Sequence, residues 1–355
     1  MDRNLFICST VYQLLVALQI KITKFPDTES DLIITNEIPS VERIKELLST
    51  QNLFGKIICV EGKNTALAAG KSIYFDHAYC SVLLEKTSGH PKDWLEKGRY
   101  TRILFSNIGS LNMRLAIFFR RRSPKAKIGM FEDGVSTYSQ LYGRAFAVPQ
   151  GNPVAKLRYR FIFDILTRVS ELYVFAPELL VWQPKAAVEK IPPISEAADK
   201  LREVVNTVFD YPNLQDTYEE KVIFFEESYV ADGDMVDDIA VVEKLKDKFG
   251  KENIFVKSHP RNPTNRFQEM GYKTNRDRAI PWEVIALNIP LAEKVLVSMS
   301  STAVVSSYLL MRAPAKMTLA YQTLPIDTDR LKYTVEVIQR LEQLYPDAFV
   351  KLNDL

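Results

Sequence analysis

The chain has 355 residues, of which 46% are hydrophobic and 25% charged, and its 46 basic and 44 acidic side chains leave a formal charge of +2. This length predicts two domains of ordinary size, and the composition excludes a largely disordered chain. Because the charges nearly balance, the protein has no strong overall positive potential that would attract nucleic acid, and we expect no nucleic-acid partner.

The three cysteines, Cys8, Cys59 and Cys80, predict neither a disulfide framework nor a zinc site. Their number is odd, and none has the short spacing of a metal-binding pair. The chain also lacks an apolar run of roughly 18 residues or more, the length that a membrane span needs. We therefore expect a protein of the reducing cytoplasm.

Short apolar runs alternate with segments of helical period in the first part of the chain. This alternation is typical of a parallel sheet wrapped by helices. The predicted strands lie at residues 4–8, 31–35, 56–60, 102–105 and 127–131. The predicted helices between them include residues 11–22 and 41–48.

The stretch at residues 114–127, in which basic residues closely follow the apolar run 115–119, has two interpretations. Its apolar side could rest on an anionic membrane surface, which would make the protein peripheral to the membrane. Alternatively, the basic residues end a helix and complement the helix dipole before the next strand.

The alternation restarts after a middle region, residues 154–209, which we interpret as a connection with one strand at 172–175. The second block has predicted strands at 221–225, 254–257, 294–297 and 315–319, and predicted helices at 236–249, 303–310 and 333–344. The sequence thus predicts an α/β protein of two Rossmann-like domains that face each other across a cleft. We assign residues 1–182 to the N-terminal domain and residues 183–355 to a linker plus the C-terminal domain. Ligands of such folds bind at the carboxyl ends of the strands.

An acidic pair directly follows one predicted strand. Residues 127–131 lead into Glu132, Asp133 and Gly134, so two carboxyl groups stand at a strand end with a flexible glycine behind them. Adjacent carboxylates oppose each other's ionisation, and one of them can have a raised pKa that suits a general base. The alternative is an ordinary turn in which Asp133 caps the next helix.

A histidine follows a second predicted strand. Residues 254–257 lead into Ser258, His259 and Pro260. A histidine at this position can donate a hydrogen bond or a proton to a phosphate oxygen as a leaving group departs. The alternative is a loop histidine whose role is structural.

Hydroxyl side chains follow a third predicted strand. Ser300, Ser301 and Thr302 come after residues 294–297 and open the next helix. Hydroxyls and unpaired N–H groups at a helix start can bind phosphate, although serine and threonine are also ordinary helix caps.

Two further positions are candidate ligand contacts. The first strand-to-helix turn, at Ser9, Thr10 and Gln13, is another anion-binding position. Glu283 follows Pro281 at a predicted helix start, where it could accept both hydroxyls of a ribose. A glutamate is also common at this place without such a role.

Residues 232–234 and 327–329 each contain two aspartates separated by one residue, a spacing that resembles a metal-binding motif. Neither supplies the oxygen cage of a divalent site, and the first more simply caps the helix that follows it. We expect no metal and no other cofactor.

The acidic pair with glycine, the His-Pro pair and the Ser-Ser-Thr group, in this order on two Rossmann-like halves, resemble the bacterial sialyltransferases, whose fold is called GT-B. The opening LFICSTVYQLLVA, at residues 5–17, is most similar to glycosyltransferase family 52, which makes lipooligosaccharide and capsule sugars. The resemblance implies an inverting enzyme that needs no metal. It would transfer sialic acid from CMP-sialic acid to a galactose-terminated glycan, with an α-2,3 linkage.

The resemblance also implies a role for each motif. Glu132 matches the general base, with Asp133 as its neighbour and substitute, and Gly134 lies on the acceptor side. His259 matches the acid that contacts the phosphate. The implied donor site consists of Lys257, Pro260, Glu283, Ser300, Ser301, Thr302, Ser9, Thr10 and Gln13. The candidates for binding the sialic acid carboxylate are Lys257, Arg261, Arg276 and Arg278.

Two alternatives stay open beside this interpretation. One is another transferase of the same family type, such as a glucosyltransferase, and the other is a noncatalytic protein that binds nucleotide or glycan. Teichoic-acid glycerophosphotransferases share the His-Pro and Ser-Ser elements, but an acidic residue follows their serines, and residues 302–311 contain none. The sequence also leaves open whether the protein is a homodimer.

Overall fold

The computed structural model describes residues 2–62, 96–108, 110–147, 164–194, 198–214, 216–232, 236–259, 261–276, 280–312, 315–324 and 329–355. The chain divides into two compact units, Met1–Pro192 and Pro193–Leu355. Among the described residues each unit has one sheet, and all strand pairs in both sheets are parallel. The predicted α/β class is therefore confirmed.

The first unit is built on a seven-stranded sheet of order β3-β2-β1-β4-β5-β6-β7. Its strands are β1 (Arg3–Cys8), β2 (Glu29–Thr35), β3 (Lys56–Val60), β4 (Arg102–Phe105), β5 (Lys127–Phe131), β6 (Val169–Val174) and β7 (Ala187–Lys190). Its helices are α1 (Val11–Thr23), α2 (Val41–Thr50), α3 (Ser110–Arg122), α4 (Gln140–Phe146) and α5 (Asp164–Thr167). The central strands are apolar because helices cover a parallel sheet on both faces, and Leu5, Phe6 and Ile7 of β1 are fully buried.

The second unit is built on a five-stranded sheet of order β10-β9-β8-β11-β12. Its strands are β8 (Val222–Phe225), β9 (Ile254–Lys257), β10 (Lys273–Thr274), β11 (Val295–Ser298) and β12 (Lys316–Leu319). Its helices are α6 (Ala198–Val208), α7 (Tyr229–Asp232), α8 (Asp238–Phe249), α9 (Arg266–Glu269), α10 (Trp282–Ala286), α11 (Thr302–Met311) and α12 (Asp329–Leu344). The middle strand β8 is entirely buried, which fits its uninterrupted apolar sequence.

The boundary between the units corrects our domain assignment. Residues 183–192, which we placed in the linker, belong to the first unit because β7 pairs with β6 from Glu171 to Val174. The strand β7 has the sequence AVEK, and most of its side chains are exposed. An edge strand of this kind lacks the apolar run on which the prediction depended.

The structure also decides between the two interpretations of the basic stretch. The apolar residues Leu115, Phe118 and Phe119 of α3 are buried in the core, so this apolar side cannot rest on a membrane. Three arginines occupy the last turn of the helix, where they complement its dipole. In the part of the chain that the structure describes, no helix combines the length and hydropathy that crossing a bilayer requires.

Candidate active site

The carboxyl ends of β1, β4 and β5 lie side by side in the first sheet, where the strand order reverses between β1 and β4. Glu132 and Asp133 leave β5 at this edge, the ligand-binding position of such sheets. Gly134 follows with a φ of +72°, a left-handed conformation that a side chain would strain. The turn therefore needs glycine to hold both carboxyl groups at the strand end.

Glu132 is completely buried, and three groups donate to its carboxylate. The Tyr12 hydroxyl donates to Oε1 at 2.6 Å, the Phe175 N–H donates to Oε2 at 3.0 Å, and the Tyr138 hydroxyl also donates to Oε2. Burial outweighs these bonds and raises the pKa of Glu132 to about 7. A carboxyl group with this pKa can take up a proton near neutral pH, as a general base must.

Asp133 is the more accessible of the two carboxylates. Gln13 Nε2 donates to its Oδ1 at 2.7 Å, whereas the Tyr142 hydroxyl donates to Oδ2 over a longer distance of 3.4 Å. Burial raises the pKa of Asp133 to about 6. Both carboxyl groups are thus chemically suited to accept a proton, and they differ mainly in how a substrate could reach them.

The first strand-to-helix turn is built differently from what we predicted. Gln13 is fully buried, and its amide links the Ser9 N–H, bound at 2.6 Å, to Asp133. The Ser9 hydroxyl donates to Asn112 Oδ1 at 2.6 Å. The Thr10 side chain is exposed and accepts from the Gln13 N–H as the cap of α1. Gln13 and Ser9 therefore support the acidic motif, and Thr10 is the member that faces solvent.

His259 follows β9 in the second unit and has a defined orientation. Its backbone N–H donates to Glu226 Oε2 at 3.2 Å, and its ring Nδ1 accepts from the backbone N–H of Arg261 at 3.2 Å. Because Nδ1 accepts, the neutral imidazole carries its proton on Nε2. Nε2 is therefore the nitrogen that can donate to a ligand oxygen. Pro260, the next predicted donor contact, lies outside the described residues.

The Ser-Ser-Thr group forms the turn from β11 into α11. Ser300 is bound by Glu227, whose carboxylate accepts both its N–H and its hydroxyl. Ser301 caps α11, and its Oγ accepts from the Ala303 N–H at 3.2 Å. Ser301 and Thr302 thus stand at a helix start, a position where hydroxyl groups can donate to a phosphate.

Glu283 lies in the first turn of α10 and is mostly buried. Its Oε1 accepts from the Ser306 hydroxyl of α11 at 2.9 Å, and burial raises the pKa of this carboxyl group. The Lys257 ammonium lies near enough to lower that pKa and contacts the Ile280 carbonyl at 3.5 Å. Lys257 and Glu283, which are distant in sequence, are thus neighbours in the second unit.

Two acidic residues that follow the first of the metal-like motifs, Asp237 and Asp238, have structural partners. Asp237 caps α8 by accepting from the Ala240 N–H, and Asp238 forms an ion pair with Arg266. Asp234 and Asp327 lie outside the described residues. Among the residues that are described, no group of three or more His, Cys, Asp or Glu side chains could hold a metal ion.

Several site residues escaped the sequence analysis. Tyr138 and Tyr142 follow the acidic motif on short helices, and no pattern marks them as donors to its carboxylates. Glu226 and Glu227 directly follow β8 and were open to prediction. The rule that polar residues at strand ends form sites, which we applied to β5, β9 and β11, applies equally to them.

Solved structures share this fold across nearly the whole chain. An alpha/beta-galactoside alpha-2,3-sialyltransferase from Photobacterium phosphoreum matches with a TM-score of 0.54 and 10% identity, covering 100% of this chain and 99% of its own. The UDP-GlcNAc 2-epimerase of Methanocaldococcus jannaschii matches with a TM-score of 0.51 and 11% identity, covering 98% and 88%. These likenesses confirm the GT-B type of the predicted fold.

A comparison with curated protein sequences gives no match. The sequence model of the alpha-2,8-polysialyltransferase (POLYST) family matches residues 4–320, nearly the full length. This match confirms the resemblance to bacterial sialyltransferases and implies a nucleotide-sugar donor and a glycan acceptor. The chain belongs to the alpha-2,8-polysialyltransferase (POLYST) family.

Proposed function

We propose that this protein is an inverting sialyltransferase that transfers sialic acid from CMP-sialic acid to a galactose-terminated glycan of a capsule or lipooligosaccharide, with an α-2,3 linkage. The observation that carries the proposal is the buried carboxyl pair of Glu132 and Asp133, whose pKa values are raised to about 7 and about 6. In a member of a sialyltransferase family, such a pair is suited to deprotonate the acceptor hydroxyl. We place the reaction in the cytoplasm.

The proposed reaction is a single displacement at the anomeric carbon of sialic acid. The acceptor oxygen forms the new glycosidic bond, the bond to the CMP phosphate breaks, and the acceptor proton passes to Glu132 or Asp133. Nε2 of His259 and the hydroxyls of Ser301 and Thr302 donate to the phosphate as its charge grows. The proposed chemistry uses these side chains without a metal ion.

The sialic acid carboxylate needs a cationic partner in this scheme. Lys257 and Arg261 are the two described candidates closest in sequence to His259, and Arg276 follows β10. Arg261 donates to the Ser228 hydroxyl at 2.5 Å, and the Arg276 N–H donates to Asp216 at 2.9 Å. Arg278 lies outside the described residues.

A second acceptor class is favoured by the name of the matching family, alpha-2,8-polysialyltransferase. In that case the acceptor would end in sialic acid rather than galactose. Lactose and α-2,3-sialyllactose, offered separately with CMP-sialic acid, distinguish the two proposals. A product from lactose alone supports the galactoside acceptor, whereas elongation of sialyllactose alone replaces it with the α-2,8 activity.

The donor assignment is tested by release of CMP from CMP-sialic acid, with UDP-glucose as the control donor. We expect CMP release that an acceptor accelerates, and no turnover of UDP-glucose. Release of UDP instead would support the glucosyltransferase alternative. Binding of CMP without turnover of either donor would support a noncatalytic protein.

The absence of a metal requirement is a separate prediction. Excess EDTA is expected to leave the rate of CMP release within about twofold, because the proposed catalysis uses only hydrogen bonds and side-chain proton transfer. The same preparation is assayed again with added Mg²⁺ or Mn²⁺. Complete loss of activity in EDTA, restored by either ion, would contradict the proposal.

The phosphate contacts at α11 give a further prediction. Replacing Ser301 and Thr302 together with alanine is expected to weaken CMP binding by about 100-fold or more, because each hydroxyl bond to a charged group contributes roughly 1.5–3 kcal/mol. Cytidine binding serves as the control, since it lacks the phosphate and should change less than about twofold. Equal weakening for both ligands would place the effect elsewhere than at the phosphate.

A further inference from the structure

Two adjacent glutamates follow β8, the middle strand of the second sheet. Glu226 is 4% exposed, and Glu227 is partly buried beside it. The strand β8 lies between β9, which leads to His259, and β11, which leads to the Ser-Ser-Thr turn. The two glutamates therefore stand between the two loops of the proposed donor site.

Glu226 binds the loop after β9. Its Oε2 accepts from the His259 N–H at 3.2 Å, and its Oε1 accepts from Arg266 Nε at 3.0 Å. Arg266 also pairs with the buried Asp238 of α8. The backbone of His259 is thus tied through Glu226 to an ion-pair network that continues into the neighbouring helix.

Glu227 binds the turn after β11. Its Oε1 accepts from the Ser300 N–H at 2.6 Å and from the Ser298 hydroxyl at 2.8 Å, while its Oε2 accepts from the Ser300 hydroxyl at 3.0 Å. With Ser300 engaged in this way, Ser301 and Thr302 remain to face a phosphate.

We propose that Glu226 and Glu227 are positioning residues of the donor site, one for each loop. Glu226 fixes the backbone that orients His259, and Glu227 fixes the turn that presents Ser301 and Thr302. This inference rests on the proposed function, because it assigns the two loops to one donor. Neither glutamate touches the substrate in this scheme.

Amide hydrogen exchange tests the positioning without any ligand. Glu226→Ala is expected to speed exchange at the His259 amide, and Glu227→Ala at the Ser300 amide, each at least about tenfold, because each loses its acceptor. The matched control is Glu220→Ala, which removes a buried carboxylate that precedes the same strand and pairs with Lys273. Equal acceleration of both loops in all three variants would overturn the proposal.

Kinetics supply the readout that a merely structural role would not move. Glu227→Ala should raise the KM for CMP-sialic acid about tenfold or more, with a smaller change in kcat, because the phosphate turn is displaced. Glu226→Ala should lower kcat about 10- to 100-fold with KM nearly unchanged, because His259 acts on the departing phosphate. Glutamine at either position should restore part of the loss, and it replaces alanine if an alanine variant does not fold.

A failure of the positioning role can be distinguished from a failure of the proposed function. If the wild-type protein turns over CMP-sialic acid but both variants keep their KM, kcat and exchange rates, the positioning role is wrong and the proposed function stands. If the wild-type protein neither binds CMP nor turns over the donor, the proposed function is wrong and the donor-site role falls with it. The exchange pattern then still decides whether each glutamate holds its own loop.

Discussion

Replacing His259 with alanine is expected to lower turnover of CMP-sialic acid by about 10²- to 10⁴-fold while CMP binding changes only a few-fold. The Arg261 N–H donates to Nδ1, so the proton of the neutral ring is on Nε2, where it can meet the leaving phosphate. Alanine removes this donor. The backbone N–H of residue 259 can still donate to Glu226, so the loop should keep its place.

The measurement is single-turnover release of CMP, together with calorimetric binding of CMP and the midpoint of thermal unfolding. Glutamine at position 259 separates two roles, since its amide can donate a hydrogen bond but cannot supply a proton. If glutamine restores much of the rate, hydrogen bonding is the main contribution of His259. If the glutamine variant is as slow as the alanine variant, proton transfer is the main contribution of His259. Unchanged turnover in both variants would remove His259 from the mechanism.

Much of the fold was predictable because buried parallel strands are short apolar runs. The predicted strands at 56–60, 102–105, 127–131 and 254–257 agree with β3, β4, β5 and β9 to the residue. Two strands were missed for physical reasons. The exposed edge strand β7 has no apolar run, and β10 contains only two residues.

The candidate site was predictable where chemistry follows a strand directly, as at Glu132 and His259. The partners of these residues were not, because they depend on which distant segments the sheet order brings together. Tyr12 follows β1, yet its hydroxyl lies 2.6 Å from Glu132, 120 residues later. Gln13 illustrates the same limit, since its residue type suited a ligand contact while its burial makes it a support for Asp133.

The tyrosine contacts also bear on how a proton reaches Glu132. This carboxylate is fully buried, whereas Tyr12 is partly exposed and donates to its Oε1. An acceptor hydroxyl would therefore reach Glu132 by displacing Tyr12 or by passing its proton through the tyrosine hydroxyl. Asp133, which is more accessible, could be reached directly. The two carboxyl groups consequently require separate variants.

Replacing Glu132 with glutamine is expected to lower turnover by about 10²- to 10⁴-fold with near-normal CMP binding, because it removes a general base and leaves the second unit unchanged. The matched control is Glu171→Gln in β6. Glu171 is also buried in the first unit, but it binds Arg102 and Lys127, which are the first residues of β4 and β5. These strand starts lie at the other edge of the sheet from Glu132. That variant should lose stability and keep its turnover per folded molecule.

The pH profile identifies which carboxyl group acts. A base must be ionised, so turnover should rise with pH and level off above the pKa of the base, near 7 for Glu132 or near 6 for Asp133. If Glu132 is the base, Glu132→Gln removes this rise and Asp133→Asn preserves it. If Asp133 is the base, Asp133→Asn removes the rise and Glu132→Gln preserves it. Full turnover in both variants would sink the proposed base.

Stability gives an independent check on the environment of Glu132. Its pKa is higher in the folded protein than the ordinary value of 4.5, so the folded state binds the proton more tightly than the unfolded state. Stability should therefore fall as pH rises from about 4.5 to about 7, by up to roughly 3 kcal/mol from this group. Glu132→Gln should make that decline shallower. If Glu132→Gln reduces both the turnover and the decline of stability with pH, the same buried carboxyl group serves as the base and destabilises the fold near neutral pH. The raised pKa would then be a cost in stability that the activity requires.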